Sequence, residues 1–181
     1  LGPDMQKVRA ISTSHEHSEH IKGLPVIAPL YKLPVYITEL TLKHSGISLN
    51  KERVTGFKAH QQIEVGELSV TAFPKAHDAS DPHSFIISCN GITVGVFTDI
   101  GACCQHVSRY FSRCHAAFLE ANYDADMLEN GRYPYHLKNR IRGGMGHLSN
   151  KQALDLFKEY RPTFMSHLFL SHLSRDNNNP V

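Results

Sequence analysis

No apolar run in the 181 residues is long enough to span a bilayer, and the opening stretch LGPDMQKVRA lacks the apolar core of a secretory signal. Both absences point away from a membrane protein and favour a cytoplasmic location. Cysteine is sparse: Cys89, Cys103, Cys104 and Cys114 include no CxxC pair, and the adjacent Cys103 and Cys104 are badly placed to share one tetrahedral ion. Reduced, mostly buried thiols are therefore expected rather than a disulfide framework or a zinc knuckle. A formal net charge of +2 is no nucleic-acid footprint by itself, although bound divalent ions would make the local field more positive. There is no repeat and no low-complexity linker, and the length suggests one domain over residues 1–181. What the chain does have is histidine, 13 in all, the commonest metal ligand and the proton carrier of neutral pH.

The apolar pattern places the elements. Lys7–Thr13 and Val35–Thr38 read as strands, and Thr38 caps a helix over Glu39–His44 that Gly46 stops. QIEVGELSVTAF reads as a hairpin around Gly66-Glu67, and SFIISCNGITVGVFTD as one around Asn90-Gly91, the pair that type I′ turns prefer. Ala116–Glu120 is a buried strand, and TFMSHLFLSH contains the last strand. LSNKQALDLFKEY is an amphipathic helix capped by Ser149 or Asn150, with Ala153, Leu154, Phe157 and Tyr160 as its apolar face. Pro25 and Pro29 break the stretch after the His cluster, so only a short helix is expected there. This order predicts stacked sheets with helices outside, not a doubly wound parallel sheet.

The histidines fall at element ends. His15, His17 and His20 follow a strand, as does His77; Asp99 ends GVFTD, Glu120 ends AAFLE, and His172 ends the last strand. Strand ends can present side chains from a rigid sheet into one cleft. His167, inside an apolar run, reads instead as structural or accessory. In SHEHSEH, His15 and His17 project to one side of an extended stretch and can hold one ion; Glu19 and His20 lie beyond and can hold a second. Such a mixed imidazole and carboxylate set suits zinc, manganese or iron.

SHEHSEHIKGL resembles the His-x-His-x-Asp-His motif of the metallo-β-lactamase fold superfamily, and KAHDASDP, FTDIG, GHLSN and LSHLS agree with its later landmarks. LEANYDADML, YPYHLKNRI and HLSRDNNNP add a closer resemblance to the WalJ/YycJ group of DNA exonucleases, from Ala10 to Pro180. The resemblance implies an α+β fold, the αββα sandwich, and two divalent transition metals. His15, His17 and His77 would hold one ion, Glu19, His20 and His172 the other, and Asp99 would bridge them. His147 would protonate the leaving group, with Glu120 orienting it. The implied reaction is phosphodiester hydrolysis by hydroxide held between two ions, oriented by Glu19 and Asp99. The implied substrate is DNA, digested 5′-to-3′ without sequence preference.

The chain departs from the family twice. Glu19 stands where the motif carries aspartate, which moves the carboxylate by more than a bond length. The His cluster begins at residue 15, so the fold is expected to lack its N-terminal strands and to expose sheet edge and apolar surface. Lys138, Arg140, Arg142 and Arg175 are candidate phosphate contacts, Tyr133 and Tyr135 candidate stacking residues, and Ser174, Asn177 and Asn178 candidate lining of the cleft. The alternatives are another hydrolase of this fold (a small cyclic phosphodiesterase, thioesterase or lactamase) or a catalytically inactive metal-binding protein.

Overall fold

A computed structural model describes residues 4–179; Pro180 of the tail motif lies outside the described residues. Two sheets form. The smaller has three parallel strands in the order β1 (Ile11–Ser12), β2 (Val35–Tyr36), β3 (Val54–Thr55). Parallel neighbours need crossover connections. These are α1 (Ser18–Ile21) with α2 (Leu24–Leu30), and then α3 (Glu39–His44). The strands are shorter than their apolar runs. Lys7–Ala10 lie outside the ladder, and Thr38 leaves it to cap α3, accepting a hydrogen bond from the Thr41 amide at 3.3 Å.

The larger sheet runs in sequence order: β4 (Gln62–Val65), β5 (Leu68–Pro74), β6 (His83–Cys89), β7 (Ile92–Phe97), β8 (Ala116–Glu120) and β9 (His167–Ser171). β4 to β7 form an antiparallel meander. Asn90 and Gly91 take φ of 49° and 78°, the left-handed pair a type I′ turn requires. β8 and β9 add in parallel, reached through α4 (Gln105–Phe111) and α7 (Asn150–Tyr160). Between β8 and α7 the chain makes α5 (Ala125–Asn130) and α6 (Tyr135–Arg142).

Phe73, Phe97, Ile100, Phe111 and Leu119, all fully buried, fill the layer between the larger sheet and the helices α4 and α7. Tyr36 packs with Phe57, Val70 and Phe85 and ties the smaller sheet to the larger. Ser149 caps α7 through a complete capping box with Gln152. The apolar stripe of α7 is Ala153, Leu156, Phe157 and Tyr160, at i, i+3, i+4 and i+7. Leu154 falls off that stripe and is exposed, contrary to expectation. His167 is not a core residue either: it is exposed on β9, with Nδ1 2.8 Å from Ser166 Oγ. All four cysteines are free, but only Cys114 is buried and Cys103 is exposed. β9 is a sheet edge, and Phe169, stacked on Phe118, and Leu170 face solvent there.

Strand direction places the chemistry. β5, β7, β8 and β9 all run the same way, so His77, Asp99 and His172, which follow strands, and Glu120, which ends β8, reach the edge formed by the C-terminal ends of these strands. The Ser14 carbonyl accepts from the His83 amide at 2.9 Å and brings the end of β1 to that edge.

Candidate metal centre

Three overlapping groups of ligand atoms meet at this edge. His15, His17 and His77 form one, His15, His20 and Asp99 a second, and Asp99, Glu120, His147 and His172 a third; within each, the ligand atoms lie within 4.8 Å of one another. Asp99 stands between them. Its Oδ2 is 3.4 Å from His20 Nε2, and its Oδ1 is 3.3 Å from His172 Nε2 and 3.9 Å from His77 Nε2. Asp99 and His172 both hold left-handed φ, 54° and 55°. Non-glycine residues take that conformation at a cost of order 1–3 kcal/mol, and it recurs at functional sites.

Four buried atoms here have no hydrogen-bond partner: Nε2 of His15, His20 and His77, and Oδ2 of Asp99. Buried lone pairs are costly when unused. Several are already aimed. His77 donates from Nδ1 to the Gly146 carbonyl at 3.0 Å, which leaves Nε2 as the lone-pair nitrogen, and His15 Nδ1 lies 3.0 Å from Ser14 Oγ. Burial, more than the nearby Lys75 cation, pushes His15 down to about 2, and burial pushes His77 down to about 4. Both rings are thus neutral at pH 7, the form that binds metal. Burial alone would raise Asp99, but Lys75 and the surrounding imidazoles bring it to about 2. The donor set, imidazoles with a shared carboxylate, fits a pair of divalent transition ions.

Glu120 is fully buried and holds two imidazoles. Its Oε1 accepts from His147 Nδ1 at 2.8 Å and from His172 Nδ1 at 2.7 Å, and its Oε2 accepts from the amides of Ile100 and Leu148 at 2.7 and 3.3 Å. Burial would raise the Glu120 carboxyl, but these hydrogen bonds outweigh it and keep the group below its ordinary range. The Glu120 bond in turn raises His172 against burial. The sequence assigned Glu120 to His147; the structure adds His172.

A cleft of about 290 Å³ opens beside these groups, lined by His17, Glu19, Asp78, Tyr133, Arg140, His147 and Ser174. Glu19 is exposed at the start of α1 and stands outside all three ligand groups; its Oε2 accepts from Ser18 at 3.3 Å. Of the candidate cations only Arg140 lines the cleft, with its Nε 2.5 Å from Asp78 Oδ2. Lys138 donates to the Glu129 carbonyl and Arg142 to the Glu129 carboxylate at 2.6 Å, so both pin α6 to α5. Asn177 and Asn178 are buried; Asn178 donates to the carbonyls of Ala121 and Asn122. Tyr133 donates to Asp176 at 3.0 Å, and Tyr135 is exposed on α6.

Sequence reading passed over Lys75, Asp78 and Asn122. Asn122 donates to the His172 carbonyl at 2.7 Å, and Asp78 accepts from Arg140. HDASDP and EANYD carried both residues, but nothing local marked them off from surface polar groups.

A family model described as a beta-lactamase superfamily domain matches residues 1–172. The chain belongs to the metallo-β-lactamase superfamily. Among curated relatives of this superfamily domain, the exodeoxyribonuclease YycJ of Bacillus anthracis is 33% identical over 178 residues, 97% of this chain and 67% of that protein. The exodeoxyribonuclease WalJ of Streptococcus pneumoniae is 28% identical over 174 residues, 93% of this chain and 65% of that protein. The chain therefore spans about two thirds of the length of these relatives. The metallo-β-lactamase fold protein YhfI of Bacillus subtilis superposes with a TM-score of 0.69 at 21% identity, over 94% of this chain and 66% of that one. Among the described residues, no helix is long and apolar enough to cross a membrane.

Proposed function

We propose that this metallo-β-lactamase domain hydrolyses phosphodiester bonds as a DNA exonuclease, 5′-to-3′ and without sequence preference, in the cytoplasm as one domain. The observation that carries the reaction type is His147, held by buried Glu120 at 2.8 Å and lining an open cleft beside unpartnered ligand atoms. The kinship with two exodeoxyribonucleases supports the choice of DNA.

His15, His17, His20, His77, Asp99 and His172 would hold two divalent ions, zinc, manganese or iron. When bound, such ions supply Lewis-acid polarisation of the phosphoryl group and lower the pKa of the attacking water. The chain's own residues do the rest. Arg140, with guanidinium donors beyond the one given to Asp78, binds a phosphate oxygen at the cleft without reading a base. Glu19, at the rim, orients the attacking water. His147 passes the proton on its Nε2 to the departing oxygen. Glu120 keeps Nδ1–H bonded and stabilises the cationic ring before the transfer.

Two variants test the division of labour. His147→Ala is expected to keep the parent's metal content and lose about 10²–10⁴-fold in rate on end-labelled DNA with manganese, the contribution of a general acid to a leaving oxygen that must be protonated. His15→Ala is expected to lose metal as well. Equal metal loss in both would refute the split. Cleavage of a lactam or glutathione thioester with none of DNA would refute the substrate class. A catalytically inactive metal-binding protein is the second reading, favoured by the placement of Glu19 outside the ligand groups. Metal binding without any phosphodiester turnover would establish it.

A further inference from the structure

One buried ionisable group next to the ligand cluster has no part in the reaction above. Lys75 follows β5, two residues before His77, and its side chain is 1% exposed. Its Nζ donates to the Thr98 carbonyl at 2.8 Å and lies 3.9 Å from Asp99 Oδ2. A buried ammonium is costly unless paired, and among the described residues Asp99 is its one ion-pair partner. Both contacts bear on a single residue. The Thr98 carbonyl belongs to the peptide that enters Asp99, and Asp99 holds a φ of +54°, in the left-handed region that few non-glycine residues occupy even though aspartate tolerates it better than most. Lys75 thus hydrogen-bonds the backbone immediately before Asp99 and stands within ion-pair distance of the Asp99 carboxylate.

We infer that Lys75 is a positioning residue for the metal centre: it holds Asp99 in its strained conformation, with the carboxylate turned to His20, His77 and His172, so that the ion depending on Asp99 can bind. This rests on reading the cluster as a metal centre. The alternative role for a buried ammonium there is purely electrostatic. A cation beside two divalent ions repels them, and its removal would then tighten binding. The two roles give effects of opposite sign.

The test is titration of the metal-free full chain with manganese and with zinc, for the parent and for Lys75→Met, which keeps the length of the stem without the charge. Loss of a group that orients a ligand typically costs 10–100-fold in metal affinity. Lys75→Met is therefore expected to keep the ion held by His15, His17 and His77 and to weaken the Asp99-dependent ion at least about 10-fold. In an Asp99→Asn background the same substitution is expected to change affinity little, because its target is gone. Thermal unfolding of the metal-free chains separates this loss from general misfolding. If Lys75→Met does not fold, Lys75→Gln, which can still donate to Thr98 but carries no charge beside Asp99, is expected to show the same selective loss. Two ions bound by either variant at the parent's affinity or tighter would overturn the inference while leaving the metal centre intact. A parent chain that binds no divalent ion would overturn the reading of the centre and this inference together.

Discussion

Glu120 is the carboxylate whose loss is expected to disturb two imidazoles at once. Glu120→Gln keeps the shape of the side chain but presents an amide to two ring nitrogens that now donate to an anion. Both His147 and His172 lose orientation, so the variant is expected to lose rate by at least about 10²-fold and to bind the His172-dependent ion about 10–100-fold more weakly. Rate loss with unchanged metal affinity would show that Glu120 serves His147 alone. A pH effect follows from the other histidines. The unfolded chain takes a proton on each imidazole below about 6.5, whereas folded His77 resists until about 4 and His15 until about 2. The unfolded state therefore binds more protons, and the metal-free fold loses stability as pH falls from 6.5 towards 4. His172, raised by Glu120, acts in the opposite sense, but His20 and His83, also lowered by burial, act in the same sense as His15 and His77. The urea midpoint of the metal-free chain is expected to drop over that window; a flat or rising midpoint would contradict the burial of these rings. At this scale the cluster was legible because ligand types at strand ends are visible in a sequence. The second contact of Glu120 was not, since it depends on which strand lies beside β8.

Elements were legible where their signals are local. Thr38 and Ser149 cap the helices whose starts they mark, and Asn90-Gly91 makes its hairpin. Ser149→Ala is accordingly expected to cost about 1 kcal/mol in stability without altering metal content, as measured by denaturant unfolding. Strand length was not legible: Lys7–Thr13 has the pattern of a strand, but only Ile11 and Ser12 find partners on β2. Nor was the tight path of the loop between α6 and α7. A Cβ on Gly146 would lie 2.1 Å from the Arg140 carbonyl oxygen and 2.2 Å from that of Ile141, and the Gly146 carbonyl is the acceptor that sets His77. Gly146→Ala must push this loop away from α6. It is expected to weaken metal retention as well as folding, read as metal content after dialysis against a chelator. Full retention would mean that His77 needs no such support.

The whole molecule assembles its centre by strand direction. β5, β7, β8 and β9 run one way, so residues spread from 77 to 172 in the sequence meet at one edge, and the end of β1 delivers the opening histidines to it. The sequence could give the order of these landmarks. The convergence itself follows from sheet pairing, which no single stretch encodes. The most direct test of the central claim is elemental analysis of the purified chain, paired with digestion of end-labelled DNA in manganese, for the parent and for Asp99→Ala. About two transition-metal ions per chain and digestion proceeding from the ends, with the Asp99-dependent ion and the digestion lost in Asp99→Ala, is the expected result. A parent chain with no tightly bound metal and no cleavage of DNA would contradict it.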